Sequence, residues 1–265
     1  MDFYLLWAAF LLGIIEGVTE FLPVSSTGHL IIGAELLGFV HPSSKVFEIF
    51  IQLGAILAVV VEYRKKIVDT FIGIQTDEIA QLFTKNLIIA FIPAAILGFF
   101  FYSLIKLYLF NPIVVGIALI VGGILMIIIE KKLPNRPIVD VDKISNKQAL
   151  IIGIAQCFSL IPGVSRAAST IMGGLIGGLD RKTATEFSFF LAIPIIFAAS
   201  VFDLSSNIDI LSKSDIPVFV IGFITAFFSS YLIIKIFIWF VAHNTFVVFG
   251  WYRIIVGCLT IYYFL

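Results

Sequence analysis

The chain has 265 residues, 60% of them hydrophobic and 13% charged, with a mean hydropathy of +1.12. A soluble chain of this length carries about twice that share of charge, so the composition describes an integral membrane protein. The formal net charge is zero, which offers no basic surface for nucleic acid.

Read from the N-terminus, residues 3–40 form an apolar region cut by Pro23 and Gly28. A crossing takes about 20 helical residues at ~1.5 Å each, and each piece of this region is short for that. The pieces read as a re-entrant pair of half-helices whose polar break is buried in protein or lines a wet cavity. The apolar N-terminus begins at once and lacks a basic leader, so a cleaved signal peptide is not expected. Spans follow at roughly 46–63, 86–105 and 112–130. A second re-entrant pair covers 148–180, cut by Pro162 and Gly163, and spans at roughly 184–203, 215–235 and 246–265 complete the chain. The fold class is an all-α polytopic membrane protein with about six transmembrane helices and two re-entrant pairs.

Lysine and arginine set the orientation. The 64–85 connection carries Arg64, Lys65, Lys66 and Lys85, and the 131–147 connection carries Lys131, Lys132, Arg136, Lys143 and Lys147. The link near 106–111 carries only Lys106, so both basic connections are expected in the cytoplasm. The first re-entrant pair then dips from outside, the second, ending at Arg181-Lys182, dips from the cytoplasm, and both termini fall outside. The breaks also resemble each other: Phe21-Leu22-Pro23-Val24-Ser25-Ser26 aligns with Leu160-Ile161-Pro162-Gly163-Val164-Ser165, setting Ser26 opposite Ser165. Opposite orientations make this an inverted-topology repeat in one membrane domain, repeat one about 1–130 and repeat two about 148–265, joined by the loop 131–147.

The chemistry concentrates in Glu16-Gly-Val-Thr-Glu20-Phe-Leu-Pro23-Val-Ser25-Ser26-Thr27-Gly28-His29. Ionisable groups flanked by lipid-grade sequence mark a functional site. Glu16 and Glu20 are four apart and share a helix face. Two close carboxylates in low dielectric either share a proton or hold a cation. Carboxylates suit Mg²⁺ or Ca²⁺, and Mg²⁺ usually also binds substrate phosphates, which favours the cation here. Ser25, Ser26 and Thr27 follow the helix-breaking Pro23 at a new helix N-terminus. There a hydroxyl caps the helix, the better reading for Ser25, and backbone N–H groups attract phosphate. A serine near His29 also brings a nucleophile and a base within reach.

The second constellation is Pro162-Gly163-Val164-Ser165-Arg166-Ala167-Ala168-Ser169-Thr170. Arg166 needs an anionic partner, either Glu16/Glu20 or a bound phosphate, which its planar fork suits. Thr170, one turn on, adds a hydroxyl to the same anion. Gln52, one turn after Glu48, is expected to face the same cavity. Glu186 fits a capping box with Thr183, Gly173-Gly174 and Gly177-Gly178 read as close helix packing, and Phe99-Phe100-Phe101 as lipid or core surface. Cys157 and Cys258 read as buried free thiols, and His41 and His243 as ordinary surface residues.

With Glu16-Gly-x-Thr-Glu20-Phe-Leu-Pro-x-Ser-Ser-Thr-Gly-His29, Gln52-Leu-Gly-Ala-Ile-Leu-Ala and Pro162-Gly-x-Ser165-Arg166, the chain resembles the undecaprenyl-diphosphate phosphatases of bacterial inner membranes, the bacitracin-resistance type. One departure is Ala167, where the family usually has serine, which leaves Ser26 the stronger hydroxyl candidate. The resemblance implies removal of the terminal phosphate from undecaprenyl diphosphate, recycling the lipid carrier for cell-wall synthesis. It further implies a divalent metal and a site open to the extracytoplasmic face. Glu16 and Glu20 would hold the metal, and Arg166 with Thr170 the diphosphate, with Ser25, Thr27, Ser165 and Gln52 lining the substrate site. Ser26 would attack the phosphorus, or His29 would attack or serve as base, with Glu20 and Arg166 also in the catalytic set. Expected partners are the polyprenyl diphosphate and membrane lipids, with homodimerisation left open. The rival reading is a transporter or flippase of an anionic lipid or small anion, since an inverted repeat with two re-entrant breaks is transport architecture.

Overall fold

The computed structural model describes residues 3–39, 43–134, 136–137, 139–206 and 212–265; His41 lies outside the described residues. All regular structure among them is helical: α1 (Phe3–Thr19), α2 (Ser26–Leu36), α3 (Ser44–Glu62), α4 (Arg64–Gly73), α5 (Glu78–Tyr108), α6 (Pro112–Lys132), α7 (Asn146–Cys157), α8 (Arg166–Ile176), α9 (Arg181–Ser206), α10 (Ile216–His243) and α11 (Val247–Phe264).

Among the described residues α5, α6, α9, α10 and α11 are long and apolar enough to cross a membrane, and α3 with α4 passes as a sixth, bent by 74°. The six spans expected are therefore present, but their bounds move. The 64–85 connection is mostly helix, taken up by α4 and by α5, which starts where the Asp77 side chain accepts from Ile79 N–H at 3.0 Å. Likewise α10 runs on to His243, whose exposed ring sits 2.8 Å from Trp239 O. Lysine and glutamate are good helix formers and carry α4 and the start of α5, whereas α10 simply continues through the apolar residues 236–242.

Both polar breaks are hairpins whose mouths close. Tyr4 Oη, near the start of α1, donates to Leu37 O, just past the end of α2. Gln148 Nε2, near the start of α7, donates to Gly177 O at 3.2 Å, just past the end of α8. The second mouth lies among the basic connections: Arg181 Nε meets Glu130 Oε1 at 2.5 Å, and Lys66 pairs with Asp142. From there α9 runs to the opposite end, where α10 begins and Phe219 packs edge-on to Phe47, itself against Phe39 at the first mouth. The hairpins thus enter from opposite ends, and their breaks meet in the interior.

Glycine and serine let the helices beneath the breaks approach. Along α1 and α10, Ser230 Oγ donates to Gly17 O at 3.1 Å and Ser229 Oγ to Gly13 O at 3.4 Å. In α6 and α11, a side chain at Gly116 would strike Gly257 O at 3.0 Å, and one at Gly257 would strike Gly116 O at 2.7 Å. Such small-residue crossings replace the hydrophobic drive that lipid removes. Among the five long spans α9 is the most enclosed, with 44% of its apolar window buried against 11% for α5. Phe187, Phe189 and Phe190 of α9 anchor the core, while Phe99 and Phe100 of α5 face outward.

Three local expectations change. Asp180 caps α9 by accepting from Thr183 N–H at 3.0 Å, so Thr183 lies inside the first turn and is not the cap. Gly173 and Gly174 do pack closely, with ideal side-chain positions 2.6 Å from Ala155 Cβ and 2.7 Å from Ala184 Cβ. Gly178 instead supplies a positive φ of 88° to end α8, and nothing crowds it. Of the two free thiols, Cys157 is half-buried and Cys258 is exposed on the outer face of α11.

Candidate functional site

Each break ends in a serine that no ordinary turn would choose. Ser25 and Ser165 have φ of 73° and 74°, the only positive values outside glycine among the described residues. Such a backbone costs on the order of 1–3 kcal/mol and persists only where surrounding contacts hold it. Each serine caps the helix that follows: Ser25 Oγ accepts from Gly28 N–H at 3.4 Å, and Ser165 Oγ from Ala168 N–H at 3.2 Å. The helices they start, α2 and α8, both have 11 residues. Both are also closed by a positive-φ glycine, Gly38 or Gly178. These caps correct the sequence alignment by one residue. Ser25, not Ser26, is the structural counterpart of Ser165, which leaves Ser26 opposite Arg166 as the first residue of each helix. The extra residue sits in the turn around Gly163, whose φ of 93° absorbs it.

Those two first residues converge on one carboxylate. Glu20 Oε1 accepts from Arg166 Nη2 at 3.1 Å, and Glu20 Oε2 accepts from Ser26 Oγ at 2.5 Å. Arg166 is further fixed by Nη1, which donates to Ser188 O at 2.8 Å and to Ser188 Oγ at 3.2 Å. Its guanidinium carbon lies 5.8 Å from the centre of the Phe21 ring. Its Nε is buried with no acceptor among the described residues, leaving one donor of the fork uncommitted.

Glu16 lies one turn below Glu20, fully buried where α1 crosses α10; its oxygens meet no donor among the described residues and lie beside the Glu20 carboxylate. The charges acting on it are Glu20, Glu48 and Arg166. No three His, Cys, Asp or Glu side chains among the described residues form a ready-made metal cage. The pair still suits the way Mg²⁺ is held, by one or two carboxylates together with substrate phosphates. A spare acceptor on Glu16 and a spare donor on Arg166 are complementary to a cation and a phosphate oxygen.

The remaining expected residues divide. Thr170 is fully buried; its hydroxyl lies 2.9 Å from Arg166 O, 3.2 Å from Ala167 O and 2.7 Å from Ser188 Oγ, so it braces Arg166 through Ser188. Ser25 and Ser165 commit their hydroxyls to capping. Thr27 is half-buried in the first turn of α2, and Gln52 half-buried on α3, one turn after Glu48. His29 does not pair with Ser26. Its Nδ1 lies 2.8 Å from Ser25 O and its Nε2 2.7 Å from Tyr252 Oη. A carbonyl only accepts, so Nδ1 carries a proton; with the ring neutral, Nε2 is then the acceptor of the Tyr252 hydroxyl.

Ser188, Tyr252 and Arg253 were not anticipated. Ser188 sits within an apolar span where a serine is unremarkable. Arg253 had a signal, a single arginine in an otherwise uncharged terminal span. Its side chain is fully buried, with Nη1 donating to Pro23 O at 3.1 Å and Nη2 to Gly163 O at 3.0 Å.

Comparison with known proteins gives one answer along the chain. Residues 9–259 match the family described as bacitracin resistance protein BacA. A protein of Aromatoleum aromaticum named undecaprenyl-diphosphatase is 49% identical over 261 residues, covering 98% of this chain and 95% of that protein. One of the same name from Nitrosospira multiformis is 51% identical over 264 residues, covering 98% and 96%. Another, from Pseudomonas fluorescens, is 51% identical over 259 residues, covering 98% and 94%. The match takes in both breaks, the Glu20–Arg166–Ser26 cluster and the spans that carry them, and the chain belongs to the bacitracin resistance protein BacA family.

Proposed function

We propose that this protein hydrolyses undecaprenyl diphosphate to undecaprenyl phosphate and inorganic phosphate, recycling the lipid carrier for cell-wall synthesis. It does so in the bacterial inner membrane, from a site open to the extracytoplasmic side. The two hairpins act as an inverted repeat that brings the breaks together. The observation that carries the reading is the single carboxylate of Glu20 held between Arg166 and the Ser26 hydroxyl. Relatives about half identical along nearly their whole length bear the corresponding name.

The residues divide the work as follows. Arg166 binds the diphosphate through its uncommitted Nε and stabilises charge on the transferring phosphoryl group. Backbone N–H groups at the start of α2, with Thr27, add donors at the same place. Glu20 receives the Ser26 proton as Ser26 Oγ attacks the terminal phosphorus; the P–O bond to the lipid monophosphate breaks as the Oγ–P bond forms. Water then attacks that phosphorus and gives up a proton, the Oγ–P bond breaks, and Ser26 Oγ takes back the proton held on Glu20 as phosphate leaves. Ser188 and Thr170 keep the Arg166 fork in plane. His29, with Nε2 as its basic atom, would serve the water step once Tyr252 gives way. A divalent cation, Mg²⁺ or Ca²⁺, would be held by Glu16 and Glu20 and supplies charge neutralisation at the phosphoryl oxygens. Phosphoryl transfer asks mainly for positioning and electrostatics, which suits so sparse a site.

The isoprenoid chain finds an apolar groove of about 430 Å³ beside the second break, lined by Leu97, Phe101, Leu104, Tyr108, Leu160 and Ile161. Leu160 and Ile161 lead directly into Pro162 and on to Arg166, so the groove and the head-group site share one stretch of backbone.

The test is phosphate release from a C55 polyprenyl diphosphate by detergent-purified protein, with Mg²⁺, Ca²⁺ or chelator. Metal-dependent release supports the reading, and no release from folded protein overturns it. Two hairpins entering from opposite ends also suit a transporter. Proteoliposomes that move a labelled anionic lipid without cleaving it would favour that second reading.

A further inference from the structure

We infer that Arg253 is a positioning residue of this site: by gripping the Pro23 and Gly163 carbonyls at once, its guanidinium sets where Glu20 and Ser26 of the first break meet Arg166 of the second. The inference rests on the phosphatase reading for its consequence in turnover, but not for its geometry.

Arg253 reaches in from α11 to a point where the two hairpins meet. Besides Pro23 O and Gly163 O, its Nε donates to Leu119 O and its Nη2 to Ala118 O, both at 3.4 Å, so α6 closes the ring. Every acceptor is a backbone carbonyl. A buried guanidinium without a carboxylate is costly, and one kept inside a bilayer marks a functional constraint. A flat, forked group is also the side chain suited to holding two acceptors in fixed relation.

The two carbonyls occupy equivalent places. Pro23 lies two residues before Ser25, and Gly163 two residues before Ser165, the pair of serines with positive φ. Each strained cap is thus held from just upstream by one end of the same fork, and the next residue after each cap, Ser26 or Arg166, bonds Glu20. The surroundings are shaped for the guanidinium. A side chain on Gly122 would strike Arg253 Nη2, and one on Gly163 would lie 2.6 Å from Val115 O. The neighbouring Tyr252 binds His29 on the same hairpin, so one turn of α11 reaches the first break twice.

A purely structural staple would lower stability without changing how the two breaks work together. Arg253→Gln, Arg253→Lys and Gly122→Ala separate the two roles, the last crowding the guanidinium without removing it. For a positioning residue, Arg253→Gln lowers kcat about 100-fold, the scale of an ångström-sized misplacement. KM for the polyprenyl diphosphate stays within about threefold, Arg253→Lys recovers part of kcat, and Gly122→Ala falls between. A readout independent of turnover is the thermal-stability cycle of Glu20→Gln and Arg166→Gln, measured with Arg253 present and with Arg253→Gln. Coupling between Glu20 and Arg166 that collapses when Arg253 is replaced supports the inference. Coupling that persists beside a lower melting temperature, or kcat retained in folded Arg253→Gln, overturns it. Loss of wild-type phosphate release with the coupling result intact would reject the phosphatase reading alone.

Discussion

Arg166 Nη2 and Glu20 Oε1 meet at 3.1 Å across 146 residues of sequence, with side-chain exposures of only 10% and 8%. One break therefore supplies the cation and the other the anion of a single enclosed pair, and neither hairpin can hold the site alone. Removing one partner of such a pair leaves a buried charge uncompensated.

Arg166→Ala is expected to lower stability by about 3–5 kcal/mol, read as a fall in melting temperature in detergent. Phosphate release should drop by at least about 100-fold. Arg166→Lys should regain part of the stability but little of the rate, because one ammonium cannot span Glu20 and Ser188 together. Wild-type turnover in Arg166→Lys would show that the fork is not needed.

Replacing Ser26 with alanine separates attack from support. A nucleophile's loss should cut release by more than about 1,000-fold. A fall of only about tenfold would reduce Ser26 to a hydrogen-bond donor on Glu20 and turn attention to His29. Tyr252→Phe, which removes only the hydroxyl on His29 Nε2, should keep at least about a tenth of wild-type activity by comparison.

Glu16→Gln keeps the shape of the side chain and removes its charge. Glu16 meets no donor among the described residues, so the change falls on its charge and on its contact with the Glu20 carboxylate. The Mg²⁺ or Ca²⁺ concentration giving half-maximal phosphate release should rise about tenfold or more, as expected when a ligand's charge is removed. An unchanged titration would move the cation elsewhere.

Leu160→Trp should fill part of the apolar groove without touching the head-group site. Release from a C55 diphosphate should then fall about tenfold, while a C15 diphosphate reacts at close to its wild-type rate. Equal losses for both chain lengths would place the long chain outside the groove.

The sequence by itself determined the membrane class, the six spans and both polar breaks. Those signals are local: apolar runs of crossing length, and proline with glycine where a helix has to stop. It also named the cluster residues Glu16, Glu20, Ser26 and Arg166, since charge within lipid-grade sequence is visible without a fold. The tertiary structure alone decided who meets whom. Ser26 could be paired on paper with His29, three residues away, but the helix that Ser25 caps turns His29 toward Tyr252 and leaves Ser26 on Glu20. The two breaks were aligned one residue out of step with their caps, because Pro-x-Ser and Pro-x-x-Ser look alike as text while cap dihedrals distinguish them. Arg253 stood in plain view as a charge in the last span, but its partners are backbone carbonyls, which every residue possesses. No sequence pattern can single out a carbonyl as an acceptor; only the approach of two hairpins from opposite ends puts Pro23 O and Gly163 O within one guanidinium's reach.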